Sequence, residues 1–195
     1  MKMNKINLLR ILIPLVAVLV IAESIYLVAS LVNKNKVAVE QVNSPVSENQ
    51  MNISLVSEAE KYLVGEPFLV KVVMDAQKDV LVDAVNLYVQ YNPGQATVSE
   101  LTSLEALPQP TFAKISDKKD MIVLNYYIEN DGYAFLAQQP IEVASFMVTP
   151  TKLGEIKMDL STGIEDKDSV TMIVENGTSL VVPFISNSLS IEVLE

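Results

Sequence analysis

From residue 53 to residue 194 the sequence runs as ten short stretches rich in Val, Ile, Leu and Tyr, and no window among them carries an amphipathic helical repeat. The stretches cover residues 53–57, 67–74, 81–91, 97–101, 121–128, 141–148, 155–160, 170–174, 179–182 and 189–194. β-Branched and aromatic side chains fit a pleated, half-buried surface, so these are expected strands. Turn residues cut them apart, at Gly65-Glu66-Pro67, Asn92-Pro93-Gly94, Asn130-Asp131-Gly132, Thr149-Pro150, Leu153-Gly154 and Asn176-Gly177. Short strands with frequent turns predict an all-β domain over 53–195, built as an antiparallel sandwich or jelly roll.

Two stretches show which faces should be buried. Along 81–91, Val85, Leu87, Val89 and Tyr91 fall on one side and should enter the core, while Asn86, Tyr88 and Gln90 should meet solvent or a partner. Along 121–128, Ile122, Leu124, Tyr126 and Ile128 oppose Met121, Val123, Asn125 and Tyr127. Both faces of that strand are largely apolar, so it is either covered on both sides or exposes a sticky face. Ala144, Phe146 and Val148 should point inward from the next one.

The N-terminal part is of another kind. Residues 11–32 form an apolar run interrupted by Glu23, Ser24, Ser30 and Tyr26. At about 1.5 Å per residue this run is long enough to cross a hydrocarbon core of about 30 Å as one helix. Lys2, Lys5 and Arg10 precede it within the basic segment 1–10 and favour a cytoplasmic N-terminus, which leaves the bulk of the chain extracytoplasmic. A signal peptide cleaved after Ala22 or Ser30 is the competing reading. Glu23 costs roughly 2.5–3.5 kcal/mol at mid-span. It is either protonated or drawn to the interface, or it contacts a partner helix. Residues 33–52 are polar and without sustained period, and read as a linker with a reach on the order of 25 Å.

Composition removes whole classes of function. The chain has no Cys, hence no disulfide, no thiolate metal site and no acylated lipoprotein anchor. It has no His, which removes the usual general base and the commonest metal ligand, so an enzyme is not expected and neither is a cofactor. Acidic residues number 24 against 14 basic ones, for a net charge of −10, and the basic residues ahead of the anchor are spent on the far side. Such a surface repels phosphate, so nucleic acid is not an expected partner.

The segments G-E-P-F-L-V-K-V-V-M-D-A (65–76), V-D-A-V-N-L-Y-V-Q-Y-N-P (82–93) and V-A-S-F-M-V-T-P-T-K-L-G-E-I-K-M-D-L (143–160) resemble, in order and spacing, the cohesin family. That pattern has a Gly-Glu turn, a Val-rich strand, an "AVN" strand closed by a Tyr-Asp-Pro turn, and later a strand with a central Phe. The chain departs from it in having Asn92 for the turn Asp and Gly94-Gln95-Ala96 where a Leu is usual. The resemblance implies a nine-stranded jelly-roll sandwich, as in cohesins and some carbohydrate-binding modules. It also implies a protein partner, a calcium-loaded dockerin, held on one sheet face. By position, that face would carry Asn86, Tyr88 and Gln90, joined by Asn125 and Tyr127.

Other constellations have plainer readings. Tyr126, Tyr127, Tyr133 and Phe135 could bind a sugar ring or a protein, but such a cluster is as readily core packing. Glu165-Asp166-Lys167-Asp168 lacks the glycine and spacing of an EF-hand and reads as a solvated loop, as does Asp117-Lys118-Lys119-Asp120. Asn52-Ile53-Ser54 and Asn176-Gly177-Thr178 match glycosylation sequons, and Asn176-Gly177 is a natural hairpin turn. The expectation is a single-pass, membrane-anchored cell-surface binding or adhesion module. A glycan-binding module and a structural envelope subunit are the alternatives.

Overall fold

The computed structural model describes residues 46–104, 107–116, 120–128, 131–162 and 169–195. The expected basic segment, the anchor with Glu23, and the linker up to residue 45 lie outside the described residues. Among the described residues no helix is long and apolar enough to cross a membrane.

The described chain is all-β. Its strands are β1 (Met51–Ser57), β2 (Lys61–Leu63), β3 (Phe68–Ala76), β4 (Val80–Tyr91), β5 (Ala96–Ser103), β6 (Phe112–Ser116) and β7 (Met121–Tyr127). They continue with β8 (Tyr133–Phe135), β9 (Ile141–Pro150), β10 (Gly154–Leu160), β11 (Met172–Glu175), β12 (Phe184–Ser186) and β13 (Leu189–Leu194). One sheet runs β12-β1-β3-β9-β5; the larger runs β2-β13-β10-β4-β7-β6, with β8 and β11 also paired to β4.

The inner faces follow the alternation of the sequence. β3 alternates buried and half-buried residues along its whole length, which places Phe68, Val70, Val72, Met74 and Ala76 in the core. Val85, Leu87 and Val89 of β4 are fully buried against them, as are Ala144, Phe146 and Val148 of β9, all as the alternation predicts. Tyr91 and Ile128 are buried too. Each such side chain contributes about 1.5–3 kcal/mol on leaving water. With no disulfide, this packing has to hold the sandwich.

Several expectations need correction. The described strands outnumber the nine of the expected jelly roll, because β2, β6, β8 and β12 had no counterpart in the sequence reading. Three of these are only three residues long and show too little alternation to register. β6 is an edge strand with a largely exposed face. Not every pairing is antiparallel: β12 runs parallel to β1, and β2 parallel to β13. The expected strand 179–182 does not form. Ser179 has φ 57 and breaks the extended chain, leaving Val181 in isolated bridges to Val46 and Val174. The last residues of the expected linker belong to the sandwich. The Ser47 N–H donates to the Val181 carbonyl at 3.0 Å, and Met51 is fully buried at the start of β1.

A bulge in β4 lies where its pairing with β8 ends, within its ladder to β11. Val82 and Val85 both point inward, so the ladder to β11 slips at Val174/Glu175. At the bulge, the Asp83 carboxylate accepts from the Asn176 side chain and from the Gly177 N–H at 3.2 Å, which fixes the β11 hairpin turn. Gly132 packs on this junction with φ 72, where a Cβ would lie 2.9 Å from Asn176 Nδ2 and 3.0 Å from the Val82 carbonyl. Gly132→Ala should therefore lower stability by about 1–3 kcal/mol, seen as an earlier urea midpoint with an unchanged slope. A neutral result would mean the junction yields.

Candidate functional site

The outer face of the larger sheet brings together all five residues singled out on 81–91 and 121–128. Asn86 stands directly opposite Asn125 across the β4–β7 ladder, Tyr88 opposite Val123, Gln90 opposite Met121, and Ala84 opposite Tyr127. Directly opposed side chains in such a ladder have Cβ atoms about 4.5–5.5 Å apart. Neighbouring strands extend these rows. β11 adds Met172 beside Asn86 and Val174 beside Ala84; β6 adds Phe112 beside Asn125 and Lys114 beside Val123; β10 adds Asp159 beside Gln90.

Exposure divides this face into two halves. Met121 and Val123 are 2 % and 9 % exposed although they point outward, so β7 is covered on both sides at that end. At the other end Tyr127 is 65 % and Phe112 48 % exposed. The sticky half of the strand is therefore the Tyr127 end. Between the two, Asn86 and Asn125 are half-buried, and Asn125 Oδ1 is closed off with no hydrogen-bond partner among the described residues. Tyr88 is half-buried, and its backbone N–H donates to Thr171 Oγ1 at 3.2 Å. The two rows next to Tyr127 carry apolar and amide side chains and no charge. Phe112, Met172 and Val174 were not foreseen. β6 and β11 are short, and only their register with β4 and β7 places them here.

The aromatic cluster is divided by the sheet. Tyr126 and Phe135 are core residues, and Tyr133 meets Phe135 edge-on with centroids 5.0 Å apart. Of the four only Tyr127 is exposed, with Tyr133 half-buried, so they make no joint platform. Tyr126 donates its hydroxyl to the Val143 carbonyl at 3.0 Å and lies 3.2 Å from Ser103 Oγ. Burial raises its pKa above the usual tyrosine value, with the Ser103 contact pulling the other way.

The turn after β4 behaves as its residues suggest. Asn92 Oδ1 accepts from the Gly94 N–H at 2.8 Å, and the Asn92 carbonyl accepts from Gln95 at 3.0 Å. The acidic loop 165–168 lies outside the described residues, as do residues 117–119. Among the described residues no three His, Cys, Asp or Glu side chains gather to hold a metal. Asn176 is tied to Asp83 as described, and Asn52 is paired on both sides within its sheet, to β12 and to β3.

No family model matches the chain, and no curated protein matches it. Solved structures do. The seventh ScaB type I cohesin of Pseudobacteroides cellulosolvens aligns with TM-score 0.60 at 10 % identity, covering 74 % of this chain and 92 % of that one. The fold is that of a cohesin. The OlpA cohesin of Clostridium thermocellum, solved in complex with a dockerin, gives TM-score 0.55 at 14 % identity over 73 % of this chain and 99 % of that one. A non-cellulosomal cohesin from the archaeon Archaeoglobus fulgidus gives 0.55 at 10 % identity over 75 % and 92 %. Within this cohesin fold the three resembling segments fall on β3, on β4, and on β9 followed by β10 in the other sheet.

Tyr126 supplies a test of the packing beneath the candidate face. A folded-state pKa above the unfolded one contributes stability that is complete below pH about 10 and is lost as pH rises through the folded value. Tyr126→Phe should cost about 1 kcal/mol at pH 7, and the difference from the parent should shrink above pH about 10. Urea melts at pH 7 and pH 11 measure it, and a difference independent of pH contradicts the assignment.

Proposed function

We propose that this chain is a non-catalytic, membrane-anchored extracytoplasmic binding module. Its sandwich takes a protein partner, a dockerin-like module, on the outer face of the larger sheet. One observation carries the reading: Asn86, Tyr88, Gln90, Asn125 and Tyr127 share that face, with exposed Phe112 directly beside Asn125. A tyrosine and a phenylalanine at the open end, with uncharged amides behind them, match the composition of interface anchors, which favour aromatics over charges. The cohesins of OlpA and OlpC, which share the fold, were solved in complexes with dockerins. The apolar run 11–32 and the basic segment before it support anchoring with the sandwich outside the cell.

The glycan alternative requires a row of accessible aromatics. Tyr127 and Phe112 are exposed on this side, Tyr88 and Tyr133 are half-buried, and Tyr126 and Phe135 are in the core, so the accessible rings form a pair and not a row.

Binding of the full chain to a panel of dockerin modules tests the proposal. Tyr127→Ala should weaken a bound dockerin by roughly tenfold or more, as truncating an aromatic anchor does. Asn86→Ala should have a smaller effect. Failure to bind any dockerin, or binding indifferent to both substitutions, overturns the assignment. Protease added to intact cells should remove the sandwich while leaving the N-terminal segment with the membrane fraction; full protection contradicts an exterior location.

A further inference from the structure

The smaller sheet carries a concavity on its own outer face, on the opposite side of the sandwich from the proposed partner surface. It is a cavity of about 390 Å³ whose lining includes Asn52, Ser54, Val73, Asp75, Pro140 and Ile185. The ladder registers explain how they meet. Asn52 of β1 is paired on one side with Asp75 of β3 and on the other with Ile185 of β12, and Ser54 is paired with Val73. Amide, hydroxyl and carboxylate thus lie in adjacent rows, beside an apolar wall in which Ile185 is 55 % exposed.

Asp75 is the uncompensated group. Its Oδ1 is closed off from solvent and has no hydrogen-bond partner among the described residues. Lys71 is on the same face of β3, but its ammonium is held by Glu142 Oε1 at 2.7 Å. Asn187, also in the lining, has both ends of its amide bonded to the Leu55 backbone, at 3.0 and 3.3 Å. The other oxygen of Asp75 is not closed off, and there a cation in the cavity can give the carboxylate a charge-assisted hydrogen bond.

We propose that this cavity binds an alkylammonium or alkylguanidinium group, its nitrogen against Asp75 and its methylenes along Val73, Pro140 and Ile185. The group can belong to a free small molecule or to a basic side chain of a peptide. Other ligands fit less well. The lining has no aromatic ring for a sugar to stack on, and Asp75 is its one carboxylate, too little for a divalent cation that wants six to eight oxygens. An anion would meet Asp75 directly.

Nuclear magnetic resonance of the ¹⁵N-labelled full chain tests the proposal with butylguanidinium chloride and with a Gly-Gly-Arg-Gly-Gly peptide as separate probes. Each should shift the Asn52 and Ser54 amides saturably, and added salt should weaken the binding. Tighter binding of the peptide assigns the group to a basic side chain, and tighter binding of butylguanidinium to a free small molecule. Asp75→Asn should weaken binding roughly tenfold or more while leaving the melting temperature equal or higher, because it removes an uncompensated charge. Ile185→Ala, at an exposed position, should narrow the preference for butylguanidinium over methylguanidinium. The proposal is overturned by a flat response to both cationic probes or by undiminished binding to Asp75→Asn. It is equally overturned if glucose or calcium chloride shifts these amides where the cations do not, or if Asp75→Asn melts well below the parent.

Discussion

β4 is hydrogen-bonded along both edges, to β7 and β8 on one side and to β10 and β11 on the other. The larger sheet takes its register from this one strand, and so does the depth of the core beneath it. A slip of one residue would turn Val85, Leu87 and Val89 out to solvent and drive Asn86, Tyr88 and Gln90 inward. Burying those amides and hydroxyls without partners costs several kcal/mol, on top of the transfer energy lost by the aliphatics. The register that buries the core is therefore also the register that presents the candidate face.

That dependence explains what could be read from the sequence. Strict alternation over 85–91 fixes both faces of β4, and the inward sides of 122–128 and 144–148 place Leu124, Phe146 and their neighbours in the core. Asn92 and Gly94 mark their turn because an Asx side chain bonding two residues ahead is a local property. Opaque features are those set by distant segments. β12 and β2 exist only because a parallel neighbour lies beside them, and three residues carry no period of their own. The Asp83 bulge is invisible until Asn176 and Gly177, far along the chain, are seen to occupy its carboxylate.

The candidate face was legible only in part, for the same reason. Its residues on β4 and β7 follow from alternation, whereas Phe112, Met172 and Val174 are delivered by short strands whose register no local signal sets. The division of the Tyr126, Tyr127, Tyr133 and Phe135 group also needed the sheet. Adjacent positions on a strand face opposite ways, so Tyr126 and Tyr127 could never share a surface. On the smaller sheet, Asp75 gave no sign in sequence that it would be left without a donor.

The two parallel pairings have a consequence for how the molecule is made. β1 lies beside β12, and β2 beside β13, so strands from the first part of the sandwich are completed by its last ones. Pairings that span so much of the chain close late and slowly, because a large loop must first be ordered. Until then the edge of β1 that will receive β12, with Met51 and Ile53 on its inner side, stays open to other chains. A sandwich that cannot close before its last strand is made carries that open edge through most of its folding.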